Sequence, residues 1–186
     1  TIKKDLKETL FERRYIHSIG VMEMCAKLAQ IYGVDVQKAQ IAGLLHDIAK
    51  EMPKEEMFKY VEENNIEITE IEKISYQLLH GKIGADIAKK KYGVDEQIQN
   101  AIKYHTTTSP EMDTLAKIVY VSDKIEMNRK PEGYDLEYER ELAQNDLDKT
   151  VLYIIDASIK SLVEKGKLIE KEVDTRNYLI LKNLKV

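Results

Sequence analysis

Apolar residues recur at three- and four-residue steps almost from end to end of this chain, as in Ile16, Ile19, Val21, Met24, Leu28 and Ile31. That is the period of an α-helix with one buried face, so an all-α fold is expected. With 186 residues the chain is long enough for one domain with a proper hydrophobic core, since domains of this size bury about two-thirds of their unfolded surface. No linker, repeat or low-complexity tract marks a boundary, so a single domain is expected over residues 1–186.

Punctuation residues divide the pattern. Gly33 reads as a helix stop and Asp35 as the next N-cap, opening a helix that runs to about Lys50. Pro53, at a first helical position, opens a helix from Lys54 to about Asn64. Further helices are expected at Ile66 to Tyr76, Leu78 to Tyr92 (stopped by Gly93), and Asp95 to about His105. Residues 106–110 read as a loop, Thr114 to Asn128 as a helix and 129–135 as the clearest irregular stretch. Helices from Leu136 to Gln144 and from Leu147 to Lys165 follow, and Thr175-Arg176-Asn177 stands where it could cap a last one.

Against this background the four histidines stand out, because each lies beside apolar residues in a series that ends at an aspartate: His17, His46-Asp47, His80, His105 and Asp123. An aspartate in an apolar stretch is costly unless its charge is paired, and imidazole and carboxylate are both ligands of divalent transition metals. On a helix, His46 and Asp47 point about 100° apart and can grip one cation beside it, with His17 and Asp123 closing the shell from other helices. His80 and His105 then remain for a second metal, a water or a phosphate. Taken singly, each histidine fits a partly buried side chain satisfied by its neighbours, and Asp47 or Asp123 fits a cap or an ion-pair partner. Taken together they read as a metal site. With no thiolate set, mixed His/Asp donors suit iron, manganese, cobalt or catalytic zinc better than a closed structural zinc or magnesium.

The remaining composition excludes other classes. A net charge of −4 offers no basic field for nucleic acid, and no run approaches the roughly 20 apolar residues of a membrane span. The single cysteine, Cys25 among Met22, Met24 and Leu28, reads as packing and fits a reducing, cytoplasmic setting.

The series His17, His46-Asp47, Asp123 resembles the H…HD…D signature of the HD-domain metal-dependent phosphohydrolases, an all-helical superfamily. The context of these residues, with Arg14-Tyr15-Ile16-His17-Ser18, residues 43–50, residues 120–126 and Thr175-Arg176-Asn177, is similar to the bacterial YqeK family over nearly the whole chain. That resemblance implies an HD-domain helical bundle with a C-terminal helical extension from about residue 135 that completes a nucleotide site. It also implies a di-iron centre and symmetrical hydrolysis of diadenosine tetraphosphate to two ADP, and it suggests a homodimer. By the same resemblance the metal ligands are His17, His46, Asp47, Asp123, His80 and His105, and the catalytic residues are Asp47, His80 and His105. Arg14, Lys50, Arg129 and Arg176 are expected to hold the polyphosphate, with Thr106, Thr175 and Asn177 adding to the nucleotide site alongside Asp47, His80, His105 and Asp123. Tyr15, Tyr104 and Tyr178 are candidates to stack on adenine. The competing expectations are another HD phosphohydrolase acting on a nucleotide or alarmone, a nucleotide sensor without turnover, and a purely structural helical protein.

Overall fold

The structure, a computed structural model, describes residues 1–131 and 135–184. Within them it is all helical: α1 Ile2–Thr9, α2 Glu12–Tyr32, α3 Val36–Leu45, α4 Lys54–Glu63, α5 Glu70–Ile74, α6 Leu79–Tyr92, α7 Glu96–Thr107, α8 Thr114–Ile125, α9 Leu136–Asn145, α10 Leu147–Glu164 and α11 Glu172–Leu184. A short 3-10 turn, Tyr76–Leu78, leads into α6.

Local chemistry sets most of these boundaries. Asp35, Asp95, Asp113, Asp135 and Asp146 each accept a hydrogen bond from the backbone N–H three residues on, which satisfies a donor that the first helical turn leaves open. Thr69 and Glu72 close a reciprocal capping box on α5. Gly33 and Gly93 end α2 and α6 in the left-handed conformation, where a side chain would be strained.

Some expected boundaries shift. The helix beginning at Val36 stops at Leu45 rather than Lys50, because residues 46–51 tighten into turns with Ile48 N–H donating to Leu45 O and Lys50 N–H to Asp47 O. Pro53 is the cap of α4, one residue before its first turn. Only Glu70–Ile74 of the expected 66–76 helix forms. Helix α7 runs on to Thr107, and α8 ends at Ile125, three residues short of Asn128. Thr175, Arg176 and Asn177 lie inside α11 rather than capping it. Helix α1 carries too short a pattern to stand out in the sequence; Leu6, fully buried, is what docks it. Of the irregular stretch 129–135, residues 132–134 lie outside the described residues, and the others are not helical.

Helices α2, α3, α7 and α8 pack on one another around the main core, which includes Val21, Cys25, Leu28, Leu45, Ile102, Leu115, Ile118 and Val119. Cys25 is fully buried there, where it packs as a small apolar side chain, and burial pushes its thiol up to about 12. Helix α10 covers α8 from outside through Val151 and Ile155. A smaller core of Ala49, Met57, Val61, Leu79 and Ile83 joins α4 to α6. At Gly43 the crossing of α2 and α3 is so close that a Cβ would stand 2.8 Å from Cys25 Sγ and 3.1 Å from Met22 Cα. This tight crossing brings the end of α3 beside His17 on α2.

Candidate metal centre

Six side chains from five segments meet in the middle of the bundle: His17 from α2, His46 and Asp47 just past α3, His80 from the first turn of α6, His105 from the last turn of α7 and Asp123 near the end of α8. All are buried, and His46 is completely so. Their donor atoms form three overlapping groups, His17/His46/Asp47, His46/His105/Asp123 and Asp47/His80/His105, in each of which the ligand atoms lie within 4.8 Å of one another.

The proton positions follow from the outer partners. His46 Nδ1 lies 2.7 Å from Gly43 O, His80 Nδ1 2.5 Å from Gln77 O and His105 Nδ1 2.6 Å from Ile102 O. A carbonyl only accepts, so each ring carries its proton at Nδ1 and turns the Nε2 lone pair inward. His17 Nδ1 lies 3.2 Å from Glu126 Oε1, which orients the fourth ring in the same sense. Four rings held from behind by an acceptor are the arrangement that fixes the tautomer of metal-binding histidines.

These residues fit a divalent cation. His46 Nε2 is buried with no hydrogen-bond partner among the described residues. His80 Nε2 and His105 Nε2 face each other at 3.0 Å, two lone pairs with nothing to share unless a cation or a proton stands with them. The carboxylate of Asp47 splits between the histidine pairs, with Oδ1 3.1 Å from His80 Nε2 and 3.4 Å from His105 Nε2, and Oδ2 3.4 Å from His46 Nε2 and 3.8 Å from His17 Nε2. Asp123 Oδ1 lies 3.0 Å from His17 Nε2 and 3.6 Å from His46 Nε2. The division between a first pair and a second pair is therefore less sharp than the sequence suggests, because Asp47 serves both.

Electrostatics agree. Burial opposes ionisation of Asp47, yet the charge on His46 and hydrogen bonds from His105, His46 and His80 hold its carboxyl well below the usual range. Burial likewise opposes ionisation of Asp123, and Lys124, His17 and His46 hold it down. With no cation at the centre, burial works against charge on His46 but Asp47 and Asp123 outweigh it and push the ring up to about 10, so its Nε2 carries a proton there whose place a bound cation would take. Burial, with His80 and His46 adding to it, takes His105 down to about 4, a neutral imidazole ready to ligate. Two ionised carboxylates in a buried site call for positive charge at their centre, which a divalent metal supplies through these lone pairs.

The expected polyphosphate residues divide into two groups. Arg14 donates to Asp47 Oδ2 at 2.6 Å, and Arg129 donates from Nε to Asp123 O at 2.9 Å and from its terminal nitrogen to Asp123 Oδ1 at 3.0 Å. Lys50 is half-buried in the field of Asp47 and Asp123; burial nonetheless wins and lowers its pKa. Thr106 donates to Leu78 O at 3.3 Å and so ties the end of α7 to the start of α6. Thr175 is buried, accepting from Thr108 Oγ1 at 2.9 Å and donating to Lys171 O at 3.0 Å. Arg176 turns to Asp156 on α10 at 2.6 Å and Asn177 is exposed, so neither contacts the six central residues.

Glu126 and Lys124 belong to the site and stood outside the sequence-derived set. Glu126 follows Asp123 by three residues, and Lys124 places Nζ 3.3 Å from Asp123 Oδ2. Helical spacing from Asp123 was the available signal for Glu126. A cleft of about 590 Å³ opens onto His17 and Glu126 and is lined by Arg13, Arg14, Arg129 and Lys130.

An all-helical bundle closing histidines and the His-Asp pair on a distant aspartate defines an HD-domain metal site, and residues 14–128 match the HD-domain family model. A symmetrical bis(5′-nucleosyl)-tetraphosphatase of Bacillus subtilis (strain 168) is 38% identical over 163 residues, covering 87% of this chain and 86% of the relative. The enzyme of that name from Staphylococcus aureus (strain NCTC 8325 / PS 47) is 35% identical over 178 residues, covering 95% and 91%. A crystal structure of an HD superfamily hydrolase from Clostridium acetobutylicum, described as involved in NAD metabolism, superposes with a TM-score of 0.93 at 40% identity, covering 97% of this chain and 96% of that one. The chain belongs to the HD-domain hydrolases and, within them, to the family of the symmetrical bis(5′-nucleosyl)-tetraphosphatases.

Proposed function

We propose that this protein hydrolyses diadenosine tetraphosphate and related dinucleoside polyphosphates symmetrically, giving two nucleoside diphosphates. The observation that carries the reading is the convergence of four Nε2 lone pairs on Asp47 and Asp123 beside a cleft lined by four cationic side chains. The relatives named as symmetrical tetraphosphatases share that chain over most of its length.

His17, His46, Asp47 and Asp123 would hold one divalent cation, and His80 and His105, sharing Asp47, would hold a second. Iron is the metal we assign to both, and manganese, cobalt and zinc suit the same donors. Bound there, the cations act as Lewis acids on phosphoryl oxygens and acidify water. The protein's own residues do the rest. Asp47 lies between the two histidine pairs, where its carboxylate orients the attacking water. Arg14 and Arg129 brace the ligand carboxylates and face the cleft, so the charge that develops on the departing phosphate meets guanidinium groups. A nucleoside diphosphate leaves readily, so no dedicated general acid is required.

The helices from about residue 135 onward complete the nucleotide site in this reading, and Thr106, Thr175, Arg176 and Asn177 act at its edge. The protein works on free nucleotide in the cytoplasm, in keeping with its net charge of −4 and its one free, buried cysteine. Two copies are the expected assembly. Among the described residues no helix is long and apolar enough to cross a membrane. The test is product analysis: the metal-loaded protein incubated with diadenosine tetraphosphate should yield ADP alone, and ATP plus AMP would overturn the symmetrical assignment.

A further inference from the structure

Helix α8 ends at Ile125, just past Asp123, and the carbonyls of its last turn need donors from elsewhere. Arg140, on α9, supplies them: its Nε donates to Ile125 O at 2.9 Å and one terminal nitrogen donates to Glu126 O at 2.9 Å. The other terminal nitrogen meets Glu137 Oε1 at 3.0 Å, on a side chain that stands almost wholly in solvent, and such an exposed pair adds little. The planar fork of a guanidinium can grip two neighbouring carbonyls at once, which the compact ammonium of a lysine does less well. Glu126 O also accepts from Arg129 N–H at 3.0 Å, so a single carbonyl joins the two arginines.

The turn held in this way carries two side chains that reach the metal centre. Glu126 accepts from His17 Nδ1 at 3.2 Å and, through Oε2, from Asn128 N–H at 2.7 Å. Arg129 donates to Asp123 O at 2.9 Å and to Asp123 Oδ1 at 3.0 Å. His17 and Asp123 are therefore both aligned from the segment that Arg140 clamps. The other three rings are not, because His46, His80 and His105 are backed by Gly43 O, Gln77 O and Ile102 O, which belong to other segments. We infer that Arg140 is a positioning residue for the His17 and Asp123 half of the centre. It acts through Glu126 and Arg129, and its effect stops short of the His80 and His105 half.

This role rests on the two-cation reading proposed above, but its test reads metal rather than turnover. The metal-free full chain is loaded stepwise with Co2+ against a chelator and followed by visible absorption. His17→Ala and His80→Ala, each losing one binding step, assign the two steps. Arg140→Met should weaken the His17 step about tenfold, the loss typical when the outer partner of a ligand is disturbed, and leave the His80 step within about twofold of the parent. Arg140→Lys, which keeps one donor, should fall between the parent and Arg140→Met, and it is read by the same criterion if the methionine variant does not fold. A lower melting temperature with both Co2+ steps unchanged would make Arg140 a structural brace and overturn the inference, as would equal weakening of the two steps. Hydrolysis of diadenosine tetraphosphate by a parent whose Co2+ binding is indifferent to Arg140 would keep the proposed function and remove this role. Selective weakening in a chain that does not hydrolyse diadenosine tetraphosphate would do the reverse.

Discussion

Glu126 shows how much of a metal site lies behind its ligands. Its Oε1 accepts from His17 Nδ1 at 3.2 Å, and it can come that close to α2 because Gly20, three residues after His17, has no side chain; a Cβ there would meet Glu126 Oε2 at 2.2 Å. Losing such an outer partner typically weakens metal binding about 10- to 100-fold. Glu126→Ala should therefore lower metal affinity by about that factor in a competition titration with a chromophoric chelator, and unchanged affinity would remove Glu126 from the site. Asp47 is the more central residue, shared by both histidine pairs. Asp47→Ala should abolish turnover and most metal binding, measured by metal analysis of the purified variant together with product formation. Retained activity would refute its role as ligand.

At the scale of elements, the placing of His46 and Asp47 depends on α3 ending early and lying close against α2. The tight turns after Leu45 keep the two side chains adjacent without committing them to a helix, and they bring Asp47 Oδ1 within 3.1 Å of His80 on α6. The close crossing at Gly43 has little slack, because two of the atoms nearest an added Cβ are backbone atoms of Met22. Gly43→Ala should destabilise the protein by about 1–3 kcal/mol through overpacking. Denaturant unfolding would read this as a lower midpoint at unchanged slope, and a neutral result would show that α2 and α3 can part without cost. The thin apolar stretch 66–76 illustrates the opposite case. Its spacing resembles a helix, but residues outside Glu70–Ile74 are drawn into packing against α4 and α6, where Ile66, Ile68 and Tyr76 flank the small core.

For the whole molecule, stability should depend on both metal and pH. A cation that binds only the folded chain adds stability by mass action, so a chelator should lower the melting temperature, and re-addition of metal should restore it. An unchanged melting temperature would argue that the six residues bind no metal. The pH dependence has an identifiable contributor in Glu139. Burial, reinforced by Asp135, pushes its carboxyl up to about 7, against the pull of Lys124 and Arg140. A carboxyl raised in the folded state contributes stability that is full below the ordinary glutamate value of 4.5 and fades as pH passes about 7. Glu139→Gln should remove this contribution, so the difference in unfolding free energy between parent and variant should shift against the parent as pH rises from about 4.5 to about 7 and level off above that. A pH-independent difference would show that Glu139 ionises as freely in the fold as out of it.

Helical class, most helix starts and all six central residues were legible in the sequence, because period, capping chemistry and the cost of burying an aspartate are local properties. The ends of α3 and α5 were not, since the apolar spacing continues past the point where tertiary packing overrides it. Nor could spacing tell that Asp47 would stand between both histidine pairs, or that Arg176 would turn to Asp156. Residue types therefore determined that this chain would be a helical bundle able to hold a metal. Only the close packing of α2, α3, α6, α7 and α8 decided which lone pairs meet and which carboxylate is shared. Those depend on distances between segments far apart in the chain, which no local preference encodes.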